Sequence, residues 1–155
     1  MLALLLSALL AVDHSPQLYR FPILEGPGER PGTCRADVTD NPVLRSAGIN
    51  RMVDLNLAGE PARQVSVSVG AGNRIIAVSV FYSISTGKSR REGESIYALY
   101  SATGLDSGTR RYTTTGIPAR RDEDRSARLT PAEADSALKL ARMVLRRCGV
   151  MSSNR

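Results

Sequence analysis

The stretch Arg74-Ile75-Ile76-Ala77-Val78-Ser79-Val80-Phe81-Tyr82-Ser83-Ile84 decides how this chain folds. Side chains of an extended strand alternate between its two sides. Ile76, Val78, Val80, Tyr82 and Ile84 therefore form one face. Ile75, Ala77 and Phe81 make the other face fairly apolar as well. A strand apolar on both sides reads as a central one, covered in part from each side.

The same period continues on both flanks. Upstream, Val65, Val67 and Val69 alternate with Gln64, Ser66 and Ser68. Gly70-Ala71-Gly72-Asn73 then reads as a hairpin turn, because glycine accepts positive φ without a Cβ clash. Further upstream, Val53, Leu55 and Leu57 alternate with Met52, Asp54 and Asn56, until Gly59-Glu60-Pro61 interrupts. Downstream, residues 85–94 read as a polar turn and 95–103 as a strand with Ile96, Ala98 and Tyr100 on one side. Residues 104–108 read as another turn, and the Thr-rich 109–115 as a last strand. The charged run 120–128 reads as a linker or solvated turn.

Thr130-Pro131-Ala132-Glu133 is a helix start with a cap, a proline at the first helical position and a glutamate placed for a capping box. Ala134, Ala137, Leu138, Ala141, Val144, Leu145 and Cys148 recur at spacings of three and four, and Gly149 is a natural stop. The predicted class is α+β: an antiparallel β-meander of four to five strands packed against one C-terminal α-helix. Leu138, Ala141 and Leu145 are expected to face Ile76, Val78 and Val80. The chain divides into an apolar segment at 1–12, a Pro/Gly-rich arm or loop at 13–50, one α+β domain at 51–149 and a tail at 150–155. Asn41-Pro42 can open a short helical turn within the arm.

Residues 2–12 form an apolar run with only the small Ser7 within it. A bilayer needs about 20 such residues, so no stable membrane span is predicted, and the run has the length of a signal-peptide core. No Lys or Arg precedes it, and the best cleavage position, after Ala11, has the bulky Leu9 at −3. The chain reads as exported, periplasmic or secreted, with a buried N-terminal helix as the plainer account. Cys34 and Cys148 are the only cysteines, and in an exported chain they read as a disulfide; two buried thiols are the alternative.

Catalytic and cofactor signatures are weak. Two cysteines and the single histidine, His14, cannot complete a zinc shell, and a Ser–His pair would also need His14. Gly70-Ala71-Gly72 has Ile75 where a dinucleotide loop needs its third glycine. Gly87-Lys88-Ser89 has Tyr82 where a phosphate loop needs its first. Asp122, Glu123 and Asp124 are interleaved with arginines and read as solvated. No cofactor, metal site or catalytic residue is predicted. Carboxylate chemistry would require Asp37, Asp40 and Asp54 to converge in space.

The net charge of +6 lies wholly in the C-terminal half. Lys139, Arg142 and Arg146 share the helix face opposite the apolar stripe. Together with Arg110 and Arg111 they form the candidate anion-binding surface. An acidic protein or an anionic envelope polymer suits it; nucleic acid does not, since Tyr112 is the only aromatic interleaved with the arginines. Of 21 basic residues all but Lys88 and Lys139 are arginine, so an Arg-rich composition alone also supplies such clusters. The leading function is an exported, non-enzymatic binding module. A small carboxylate-dependent hydrolase and an intracellular basic nucleic-acid-binding protein are the alternatives. Export predicts a mature chain starting near residue 12. N-terminal sequencing of protein from its native host reads this, and a cytosolic chain beginning at Met1 contradicts it.

Overall fold

Alternation produces one antiparallel sheet in which every strand pairs with the next in sequence. The computed structural model describes residues 22–87, 89–116 and 123–151. The apolar run at 2–12, His14, Lys88 and Arg120 to Asp122 lie outside the described residues. The strands are β1 (Gly32–Val38), β2 (Arg51–Leu57), β3 (Ala62–Val69), β4 (Ile75–Gly87), β5 (Arg90–Ser101), β6 (Gly104–Gly116) and β7 (Glu123–Arg128). A short helix, α1 (Pro42–Ser46), joins β1 to β2, and the long helix α2 (Pro131–Arg147) follows β7. Among the described residues no helix is long and apolar enough to cross a membrane.

The α+β class holds, but the sheet has seven strands, two more than the upper expectation. Both additions are edge strands, which need no apolar face. β1 lies inside the Pro/Gly-rich arm, yet no proline or glycine falls between Gly32 and Pro42, which leaves Thr33–Val38 free to pair with β2. β7 takes up the charged run, laying Arg125 opposite Tyr112 and Arg128 opposite Thr109. The expected turn at 85–94 is shorter still: Ser85 pairs with Arg91 and Ile84 with Glu92, so the ladder continues through a polar hairpin end.

α2 seals the inner face of the sheet. Ala134, Ala137, Leu140, Ala141, Val144 and Leu145 are buried against Val53, Leu55, Val65, Val67, Val78, Val80, Ile96 and Ala98. The helix phase is as expected at Ala141 and Leu145, whereas Leu138 is only partly buried and Leu140 takes the deeper place. Ile76 departs from the expected face. The register shifts between Ser68 and Val69, so Val69 pairs with Ile75 while Ser68 pairs with Ala77. This bulge puts the extra residue, Ile76, against Val43, Leu44, Ile49, Tyr97 and Leu99 beside α1.

The Thr130 side chain accepts from the Glu133 amide, and the Glu133 side chain accepts from the Thr130 amide, a complete capping box. Gly149, at φ 72°, ends the helix in the left-handed region. Cys148 at that end is bonded to Cys34 on β1, with 5.5 Å between the Cα atoms. The disulfide joins the sheet edge to the helix across 114 residues of sequence.

Leu145, fully buried, should cost about 2–5 kcal/mol when changed to Ala, and the half-exposed Leu138 distinctly less. Urea titration of Leu145→Ala and Leu138→Ala tests that order. A loop this long makes the disulfide worth roughly 5 kcal/mol in the chain-entropy account, so Cys34→Ser/Cys148→Ser should unfold at clearly lower denaturant.

Candidate functional site

Strand alternation separates the arginine doublet Arg110-Arg111. Arg110 and Arg111 are neighbours in β6 and therefore point to opposite faces. Arg111 is exposed on the outer face, opposite Ser95 and Ser126. Arg110 is buried on the inner face, where Glu133 Oε1 lies 3.7 Å from its Nη2. Burial lowers the Arg110 pKa to about 10, with Glu133 opposing the shift. Glu133 thus caps α2 and balances a buried cation at once. Arg110 is part of the interior and does not join the surface formed by the helix arginines.

Beside Arg110 the inner face turns polar. Glu92 and Glu94 follow Ile96 and Ala98 in phase along β5, and both are buried. Glu94 lies between Tyr82 of β4 and Tyr112 of β6. Tyr112 and Thr114 share a hydrogen bond between their hydroxyls at 3.2 Å. The three aspartates singled out in sequence do not converge. Asp37 pairs with Arg35, Asp40 lies 3.1 Å from Arg45, and Asp54 faces Arg35 across the β1–β2 ladder. Among the described residues no three acidic, Cys or His side chains form a metal-binding group.

A second group of arginines is spent on backbone carbonyls. Arg63 on β3 is buried and donates to the carbonyls of Ile23, Glu25 and Gly26. Arg147, on the last turn of α2, donates to Gly28 and Arg30, and Arg30 donates to Ala58 and Pro61. These bonds hold residues 22–31 against the sheet and place Ile23 in the core.

The exposed cations are elsewhere. Lys139, Arg142 and Arg146 lie along the outer side of α2, as their spacing requires. Arg142 also lines a cleft of about 330 Å³ between α2 and one end of the sheet. Its other walls are Asn73, Arg74, Ile75, Tyr100, Ser101, Ala102, Gly104, Leu138 and Met151. Gly72 and Asn73 have φ values of 64° and 58°, and this left-handed turn brings Arg74 to the cleft rim. Asn73 Nδ2 donates to the Val150 carbonyl at 3.3 Å, tying the turn to the chain beyond the helix. Among the described residues neither Arg74 nor Arg142 forms an ion pair, and no carboxylate lines the cleft. Two guanidiniums over a partly apolar floor can hold a carboxylate or phosphate through paired N–H donors. Sequence spacing singled out Arg142; Arg74 is brought to it only by the turn.

Comparison finds no family model that matches the chain, and no significant match among curated proteins or solved structures.

Tyr100 on the cleft wall donates its hydroxyl to the Ala134 carbonyl at 2.8 Å. Burial, with a smaller contribution from Asp135, raises its pKa to about 12. The unfolded chain releases this proton near pH 10, so the Tyr100 contribution is full below about pH 10 and lost as pH rises through 12. Tyr100→Phe should be less stable than wild type at neutral pH by about 1 kcal/mol, and the gap should close between those pH values. Thermal melts of both proteins across that range measure it; a constant gap contradicts the assignment.

Proposed function

We propose that this chain is an exported, non-enzymatic binding module that recognises an anionic protein or envelope polymer at the cleft between α2 and the sheet. The observation that carries the reading is Arg74 and Arg142 on one cleft, with no acidic residue among its lining. Exposed charges that serve only solubility have no need of a concave setting. Here Ile75, Leu138 and Met151 line the same cleft as the two cations, and apolar walls lower the local dielectric and strengthen any anion contact. Lys139 and Arg146 extend the positive field along the helix and would steer an anionic chain toward the cleft. The disulfide fits an oxidising compartment, in keeping with export.

Carboxylate ligands are the first class to test, with polyglutamate as the probe and the native envelope fraction as the physiological source. Arg74→Glu/Arg142→Glu should weaken polyglutamate binding about tenfold or more, a loss of about 1.4 kcal/mol. Lys139→Glu/Arg146→Glu should chiefly slow association and reduce its salt dependence. Unchanged binding by the cleft variant, or binding indifferent to salt, would refute the reading.

A carboxylate-dependent hydrolase is the second reading, favoured by the buried pair Glu92 and Glu94 on one side of β5. A hydrolytic activity that Glu94→Gln abolishes, and Arg74→Glu does not, would support this reading over the first.

A further inference from the structure

Among the described residues the outer edge of β1 has no strand partner, and we propose that this chain dimerises through antiparallel β1–β1 pairing centred on Ala36. The proposal is independent of what the cleft binds. All seven residues of β1 are exposed, and Val38 is 64% exposed. In an antiparallel ladder, alternate residues direct their N–H and C=O groups to opposite sides of the strand. The Thr39 amide donates to the Asn50 carbonyl at 3.0 Å, and the Ala58 amide donates to the Pro31 carbonyl at 2.9 Å. These bonds bracket the strand and set its parity. Thr33, Arg35 and Asp37 turn their backbone groups toward β2. Gly32, Cys34, Ala36 and Val38 turn theirs outward, to the free edge.

Side-chain charge then selects the register. A two-fold centred on Arg35 would set Arg35 directly opposite the partner's Arg35, in a close non-hydrogen-bonded pair. Centring on Asp37 would do the same with two aspartates. Like charges so placed destabilise a sheet pair. Centring on Ala36 sets each Arg35 opposite the partner's Asp37. Ala36 then exchanges hydrogen bonds with the partner's Ala36, and Cys34 with the partner's Val38. The register that satisfies the outward backbone groups also brings opposite charges together on the outer face and covers the exposed Val38. Charged side chains on an edge strand usually guard it against pairing. Here one positive and one negative side chain, two residues apart, make the guard self-complementary. Today Arg35 and Asp37 of one chain are bonded to each other. Pairing exchanges that bond for two across the dimer.

A strand edge buries less surface than a permanent interface, so the dimer is concentration-dependent. Sedimentation equilibrium of the disulfide-bonded protein, over about two decades of concentration around 100 μM, should show monomer and dimer without larger species. Arg35→Asp alone and Asp37→Arg alone should each weaken self-association about tenfold or more, because each puts like charges opposite. The double exchange Arg35→Asp/Asp37→Arg should restore it. The two single variants, mixed, should associate with each other. Ala36→Pro removes an outward amide without touching the β1–β2 ladder and should abolish the dimer while leaving the disulfide and circular dichroism unchanged. A protein that stays monomeric throughout, a dimer indifferent to the charge exchanges, or open-ended polymers would each overturn the proposal.

Discussion

A seven-stranded meander has two faces, and among the described residues there is one long helix with which to cover them. At about 1.5 Å per residue α2 extends about 26 Å, close to the width of seven strands spaced about 4.8 Å apart. Everything else depends on keeping that helix seated on the inner face. Ala134, Ala137 and Ala141 allow close approach, while Leu140, Val144 and Leu145 fill the space to either side. The helix is fastened at both ends. At its N-terminus Glu133 serves the capping box and Arg110, and Ala134 accepts from Tyr100. At its C-terminus Cys148 is bonded to β1 and Arg147 holds the arm. A helix so anchored can carry exposed cations on its back without depending on them for stability.

The arginines divide by what surrounds them. Arg30, Arg63 and Arg147 donate to backbone carbonyls of loops that have no ladder partner. Loop carbonyls near a core need donors, and a guanidinium supplies several in one plane. Lysine could not reach three carbonyls with the same geometry, which gives the Arg-rich composition a structural use. Burial pulls the Arg63 pKa below its ordinary range, with Glu25 acting against that pull. Arg74 and Arg142 at the cleft form no ion pair among the described residues, and they are the arginines the proposed binding would use.

Much of the sheet was legible because central strands must bury one face. Val53 to Leu57, Val65 to Val69 and Val78 to Tyr82 advertise their phase through strict alternation. The edge strands carry no such signal, since β1 is exposed along its whole length and β7 is mostly charged. The bulge at Val69 shifted Ile76 off the face assigned to it, and no local residue pattern marks a bulge. Glu92 and Glu94 did leave a signal: they stand in phase with Ile96, Ala98 and Tyr100, so burial followed from parity alone. Arg110 and Arg111 part by the same rule, because adjacency in a strand means opposite faces. The cleft was half legible. Helical spacing exposed Arg142, but Arg74 reaches it through a left-handed turn that closes only in three dimensions.

The edge and the cleft have a geometric consequence when taken together. Antiparallel pairing that continues a sheet places its two-fold axis perpendicular to the sheet. Both copies of α2 then lie on the same side of the enlarged sheet. Their cation ridges then lie on one common face, while the two clefts, each at one end of its own sheet, lie toward opposite strand ends, and neither cleft includes a β1 residue. A single cleft with two arginines offers a modest grip on an anion. Two clefts on one rigid particle convert the second contact into an intramolecular event whenever the ligand is long enough to span them. A repeating anionic polymer or a flat anionic layer meets that condition, and a small free anion does not. Taken with the proposed pairing and the proposed anion binding, the architecture would favour extended ligands over small ones through avidity, with no change to either cleft. A weak dimer would then suffice: a ligand that spans both copies would hold them together, so that binding and β1 pairing would reinforce each other.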